Sequence, residues 1–278
     1  MLNNADVNEE IADKMIDTRE MRSDLLKMAL AAKSQGAHLG GSLSLVEIMA
    51  ALYGGVTKFD SKNPEAENRD RVILSKGHGV MAQYVALKQI GLLSAEDLLT
   101  YKSDETKTPA HPSMNLGMGI EFSSGSLGQG LSLGVGTALA LKRKNNISSR
   151  IYVILGDGEC DEGSVWEAAM TAAHYRLDNL VAVIDRNRLQ YDGDTETVLP
   201  LENFADKWRA FGWNVTECDG HSVKDIVAAL SEKQEKPFAL IADTVKGKGV
   251  SFMENMPQWH NGVLTQKLFE QAMSEVMQ

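Results

Sequence analysis

The residues with most chemistry to offer are the tripeptide Gly156-Asp157-Gly158 and, thirty residues on, Asn187. Each follows a run with the composition of a buried strand, YVIL before Gly156 and LVAVID before Arg186-Asn187. If both runs are parallel strands with a helix between them, a carboxylate and an amide oxygen arrive together at one edge of a sheet. Hard oxygen donors of this kind suit Mg²⁺, which keeps part of its coordination sphere for phosphate and water. Gly158 removes a Cβ where backbone must approach a ligand closely. A helix starting near Gly163 would turn its positive end toward phosphate. A bare Gly-Asp-Gly is common in turns, so the second strand ending in Asn is what gives the pattern weight.

Six histidines add to this inventory. Imidazole titrates near neutrality and can give or take a proton as a carbonyl becomes an alkoxide. Any single histidine is more often structural, and His174, at a helix end, and His221, after a strand, are read that way. The acids Glu162 and Glu167 flank a helix start, which accounts for them as well as a site role would, and neither is counted among the site residues.

The elements that must position these groups follow from periodicity. Residues 7–34 carry apolar residues at helical spacing without Gly or Pro, which predicts a long amphipathic helix ending near Gly36. A second helix is expected over Ser44–Tyr53. The short strand VILS follows, and GHGV opens a helix around MAQYVALKQI. From Gly125 the chain is glycine-rich and then helical, closing on the basic KRK that suits a helix C-terminus. The second half alternates: strands over 150–155, 179–185, 213–218 and 238–245, with helices over 163–175, 204–211 and 223–235. Such alternation predicts an α/β fold, a mostly parallel sheet with helices on both faces. Ligands then sit beyond the carboxyl ends of the strands. No repeat or linker divides the chain, so residues 1–278 are read as one domain.

Composition sets limits on function. The chain is 43% hydrophobic and 24% charged, with a net charge of -10. The acidic balance argues against general nucleic-acid binding, which needs a basic face. No signal peptide is visible, and no apolar run is read as reaching the ~20 residues of a membrane helix. Cys160 and Cys218 have no metal-ligand spacing and read as reduced thiols, so a cytoplasmic protein is expected.

The stretch around Asp157 also carries a family resemblance. GDGECDEGSVWEAAMTAAHYRLDNLVAVIDRN resembles the thiamine-diphosphate motif of transketolases, which begins with GDG and ends with Asn. The resemblance implies that Asp157, Asn187 and the backbone carbonyl of Leu189 hold Mg²⁺, for which Ca²⁺ or Mn²⁺ could substitute, on the cofactor's diphosphate beside Gly158. NPEAENRDRVILSKGHG resembles the segment that brings His78 to the cofactor. KTPAHPSMNLGMGIEFSSGSLGQGL implies a donor-channel role for His111 and a cofactor loop of Gly125, Ser126 and Leu127. AHLGGSLSLVEIMAAL matches through His38, and TVKGKGVSFMENMPQWHNGVL through Lys246 and His260. The segments occur in family order over roughly residues 10–270. They imply the thiamine-diphosphate-binding fold, with His38, His78, His111 and His260 around the thiazolium and the sugar hydroxyls. The implied activity moves a two-carbon ketol unit from a ketose (phosphate) donor to an aldose (phosphate) acceptor.

The family's glutamate for cofactor activation comes from a separate pyrimidine-binding domain. This sequence stops soon after His260, so a partner subunit carrying that domain is expected, in an α₂β₂ heterotetramer. Two rivals stay open. The residue after His38 is Leu39 rather than the proline of many transketolases, as in 1-deoxyxylulose-5-phosphate synthase. The His111-Pro112 pair and WHNGVL favour transketolase, and pyruvate against a ketose phosphate donor discriminates the two. A non-catalytic binding protein is the other rival; it would have lost metal ligands or histidines, and none is missing.

Overall fold

A strand covered on both faces must be apolar at successive positions. Four runs meet that demand in the computed structural model, which describes residues 16–144 and 148–278. They are β1 (Arg71–Leu74), β2 (Ile151–Gly156), β3 (Leu180–Arg186) and, late in the chain, Phe238–Asp243. Between them come a small hairpin, β4 (Leu189–Gln190) with β5 (Gly193–Asp194), and the strand β6 (Asn214–Asp219); Phe238–Asp243 is then β7. The five long strands are parallel, in the order β1-β2-β3-β7-β6. β6 is an edge strand and only partly covered, which is why its sequence NVTECD is the most polar of the five.

Side chains alternate between two cores. Val72, Ile154, Val183 and Leu240 join one face. There they meet α1 (Thr18–Ala31), α2 (Leu39–Leu43), α3 (Val46–Ala51), α4 (Val80–Gln89) and α5 (Ala95–Leu99). Ile73, Val153, Ala182 and Ile241 join the opposite face. It is covered by α6 (Gly130–Arg143), α7 (Gly163–His174) and, after the short α8 (Thr195–Val198), α9 (Phe204–Ala210). The helices α10 (Val223–Ser231) and α11 (Gln266–Val276) return to the first face. Helices on both faces of a parallel sheet is the architecture expected above.

Several boundaries differ from expectation, each for a local reason. The first helix begins at Thr18, where the Asp17 side chain accepts from the backbone of Arg19 and Glu20 and caps it. The expected stretch 7–15 lies outside the described residues. The second helix is framed by α2 and continues from Ala51 into a π turn over Leu52–Val56, where Gly55 leaves helical dihedrals. The tenth helix stops at Ser231, because Glu232 is extended. The sequence reading contains no counterpart of the hairpin, α5, α8 or α11. Contrary to the reading of the sequence, Leu39–Val56 is long and apolar enough to cross a membrane by length and composition. It is 83% buried inside the fold, so the core accounts for its hydropathy.

Candidate active site

Four adjacent strands end at one edge of the sheet, and each hands over to a segment carrying a polar group. Ser75 and Lys76 follow β1, with His78 in the 3-10 turn Gly77–Gly79. Asp157 follows β2, Asn187 follows β3, and Lys246 follows β7. His38 precedes α2, while His111 and His260 arrive on connecting segments. All of these groups except Ser75 line a cleft of about 480 Å³, within the range of small-molecule sites. Gly125, Leu127, Gly158 and Leu189 line it as well. Of the residues expected here only Ser126 is not in the lining; it is exposed, whereas its neighbours on both sides face the cleft.

The oxygen donors come first. Asp157 is buried, and its two oxygens accept backbone N–H groups, Gly158 at 2.9 Å and Arg188 at 2.6 Å. Burial, with Asp185 close by, raises its pKa to about 6. Among the described residues no lysine or arginine forms an ion pair with it, so this buried carboxylate is short of a cation. Asn187 donates from Nδ2 to Asp185 Oδ2 at 3.1 Å, and its Oδ1 accepts from Leu189 N at 3.1 Å. An ion beside Asp157, Asn187 Oδ1 and the Leu189 carbonyl would find three oxygens from this chain. No group of three or more His, Cys, Asp or Glu among the described residues could hold a metal without further help. Such an ion would draw its remaining ligands from a bound molecule and water, the habit of Mg²⁺. The residues therefore fit the group. Gly158 fits too: a Cβ there would meet Gln190 Oε1 at 2.6 Å.

The four expected histidines gather around His38. Its ring centroid lies 5.8 Å from His78, 5.6 Å from His111 and 5.6 Å from His260, with His78 and His260 4.9 Å apart. Burial and, behind it, neighbouring cationic groups hold all four below their usual range, His38 at about 4 and His260 at about 3. At pH 7 each is a neutral ring with one donor and one acceptor. Buried Lys246 donates to the Leu189 carbonyl at 2.9 Å and sits 3.2 Å from His260 Nδ1. Its ammonium, lowered to about 8 by burial and then by Lys76, can be the donor to that nitrogen, which leaves the His260 proton on Nε2.

Sequence reasoning missed several groups on and beneath this surface. Lys76 and Asp185 form a fully buried ion pair. Ser44 and Thr244 also donate to Asp185, the former at 2.7 Å. Buried Glu159 accepts from Ser75 Oγ, Gly128 N at 2.9 Å and Gly156 N at 3.0 Å. Tyr191, 73% exposed, stands edge-on to His260 at 5.4 Å. The signals were present: a carboxylate ends the apolar run LVAVID, and a lysine adjoins Gly77-His78. His221, read as structural, accepts from Val245 N at 2.8 Å and lies 3.0 Å from Glu47. A second cavity, about 590 Å³, opens beside β6 and α9. Two of its arginines, Arg188 and Arg209, are taken up by Asp243 and Asp206, and it holds no histidine, so it offers no comparable chemistry.

Comparison with known proteins agrees with this geometry. Residues 14–275 match the family model "Transketolase, thiamine diphosphate binding domain". The chain is 43% identical over 271 residues to the 6-deoxy-6-sulfo-D-fructose transketolase subunit SqwG of Clostridium sp. (strain MSTE9), covering 96% of this chain and 98% of that protein. It is 42% identical over 267 residues to one of the subunits of the apulose-4-phosphate transketolase of Phocaeicola vulgatus, covering 94% of each. The crystal structure of transketolase from Campylobacter jejuni superposes with a TM-score of 0.84 at 32% identity, over 94% of this chain and 42% of that one. Matched along nearly its whole length in sequence and in fold, the chain belongs to the transketolase family.

Proposed function

We propose that this protein is the thiamine-diphosphate-binding subunit of a two-component transketolase. It would transfer a two-carbon ketol unit from a ketose carrying a terminal phosphate or similar anion to an aldose acceptor. The observation that carries the reading is the cleft at four strand ends, where metal-type oxygens and four neutral histidines meet. Two relatives of matching length are named as transketolase subunits, for a sulfonated and a phosphorylated ketose, which supports both the donor class and a partner subunit. That partner is the one expected to carry the pyrimidine-binding domain, in an assembly with two copies of each chain.

Thiamine diphosphate, when bound, supplies the electron sink for breaking the carbon–carbon bond beside a ketose carbonyl. Asp157, Asn187 and the Leu189 carbonyl would hold Mg²⁺ against the diphosphate. Lys246 adds positive charge from the side, and the Gly125–Leu127 loop and Gly158 let backbone come close. The histidines bind and orient the sugar. Being neutral, His38, His78 and His111 can each donate a hydrogen bond to an oxygen that gains charge or accept one from a hydroxyl that loses its proton. The Lys246 contact to Nδ1 fixes His260 as a donor through Nε2–H.

The test uses the chain assembled with its pyrimidine-domain partner and supplied with ketose phosphate donor and aldose acceptor. Ketol transfer is expected from the assembly and none from either component by itself. Asp157→Ala should abolish Mg²⁺-dependent thiamine diphosphate binding in calorimetry, and unchanged affinity would overturn the metal assignment. Turnover with pyruvate in place of the ketose would move the assignment to a synthase of the 1-deoxyxylulose-5-phosphate type.

A further inference from the structure

An amide side chain is a metal ligand only through its oxygen. Asn187 is symmetric enough in shape to present either end, so something must choose. The choice is made below the cleft floor. Asp185, at the end of β3, is fully buried, and its carboxylate accepts from four groups on separate segments. Thr244 Oγ1 donates to Oδ1. Lys76 Nζ, Ser44 Oγ at 2.7 Å and Asn187 Nδ2 at 3.1 Å donate to Oδ2. An ionised carboxylate accepts and never donates. Turning the Asn187 amide over would bring its oxygen against Asp185 Oδ2 and its NH₂ against the Leu189 N–H. Both contacts would become repulsive.

We infer that Asp185 is a positioning residue: it holds the Asn187 amide by its nitrogen, so that Oδ1 is the atom offered to the divalent cation. Lys76 supports this at one remove by balancing the Asp185 charge, which would otherwise be buried without an ionic partner. Ser44 and Thr244 fix the carboxylate's rotation, and through it the angle of the Asn187 amide. The inference rests on the reading that a divalent cation sits at Asp157 and Asn187. Groups of this kind behind a metal ligand typically govern 10–100-fold in metal affinity.

The alternative is that Asp185 serves only as the charge partner of Lys76, and paired substitutions separate the two roles. Lys76→Met with Asp185→Leu removes both charges at once and leaves Asn187 Nδ2 without an acceptor. Lys76→Met with Asp185→Asn also removes both charges but keeps one carbonyl oxygen for Asn187. Net charge beside the metal is the same in both double variants and in the wild type. Mn²⁺ affinity is read by water-proton relaxation on the full chain assembled with its partner, with thiamine diphosphate present, and thermal melts confirm folding.

The Leu variant is expected to bind Mn²⁺ about 10–100-fold more weakly than wild type, and the Asn variant within about threefold of it. Equal affinity in the two double variants would overturn the positioning role. If the Leu variant does not fold, Lys76→Met with Asp185→Ala removes the same acceptor with less bulk and is read the same way. A wild-type assembly that binds no Mn²⁺ would instead remove the metal reading itself, and this inference with it.

Discussion

Glu159 offers the sharpest test of how the site is held together. Its carboxylate ties three segments together. Oε1 takes Gly128 N at 2.9 Å and the Ser75 hydroxyl, and Oε2 takes Gly156 N at 3.0 Å. Ser75 Oγ in turn accepts from Gly130 N at 3.0 Å, at the start of α6. Glu159→Ala strips the acceptor from two buried backbone N–H groups; the hydroxyl can rotate away. At about 1–3 kcal/mol for each orphaned buried donor, the loss is roughly 2–6 kcal/mol. With unfolding entropy near 2.1 cal/mol/K per residue, a chain of this length has about 0.58 kcal/mol/K, so Tm should fall by roughly 3–10 °C. Glu159→Gln keeps one acceptor oxygen and should lose less. Differential scanning calorimetry reads both numbers. Binding of thiamine diphosphate should weaken as well, because Gly128 anchors the Gly125–Leu127 loop. A Glu159→Ala protein melting within about 1 °C of wild type would refute the reasoning, since two buried N–H groups cannot lose their acceptor at so small a cost.

Two further outcomes follow from other parts of the fold. His38 is held at about 4 in the native state against the usual 6.5, so between those values the unfolded chain takes up a proton that the native one refuses. Its contribution to stability is therefore complete above pH 6.5 and is lost as pH falls toward 4. Urea midpoints measured from pH 7 to 4 should decline less steeply in His38→Asn than in wild type, and parallel curves would contradict the shift. On α6, a Cβ at Gly134 would stand 2.5 Å from Val153 Cγ2, whereas one at Gly136 meets nothing within 4 Å. Gly134→Ala should cost about 1–3 kcal/mol through overpacking against β2. Gly136→Ala should gain up to about 1 kcal/mol from helix propensity. Chemical denaturation of the pair decides it, and equal effects would mean that α6 is not pressed onto the sheet as described.

Much of this architecture was legible in the sequence because parallel strands advertise themselves. RIYVIL, NLVAVID and FALIAD are apolar at consecutive positions, and their helices carry Ala-rich or periodic patterns, so sheet, layers and cleft edge could be named in advance. The residues at the cleft surface were legible as well, partly from strand ends and partly from family resemblance. What lay beneath was not. Lys76 and Asp185 are far apart in sequence and meet only because β1, β2 and β3 are neighbours in the sheet. A charged residue in an apolar run marks a buried polar site without naming its partner. The hairpin β4–β5 escaped notice because its strands are two residues each, too short for any period to show. Ser126 fell outside the cleft because a motif names a stretch of loop, and alternate residues along it need not face the same way.

The charge balance of the cleft ties these observations together. The protein is acidic overall, at -10, yet the proposed ligand is a diphosphate. Among the described residues, the buried carboxylates at the cleft and its floor are Asp157, Glu159 and Asp185, against the ammonium groups of Lys76 and Lys246. Lys76 is committed to Asp185, which leaves two carboxylates facing a single uncommitted lysine. The histidines add no positive charge at neutral pH, since burial keeps them neutral. Asp161, Glu162 and Asp192 on the lining make the field more negative still. A polyanion entering on its own would meet repulsion from these carboxylates. A divalent ion at Asp157, as proposed above, would reverse the sign of that field beside the proposed diphosphate position. Its arrival would turn the floor of the cleft from anionic to cationic, and Asp185 holds the nitrogen end of the Asn187 amide whose oxygen would help receive it. Asp185, whose own charge Lys76 balances, would thus serve that ion without adding to the negative field it corrects.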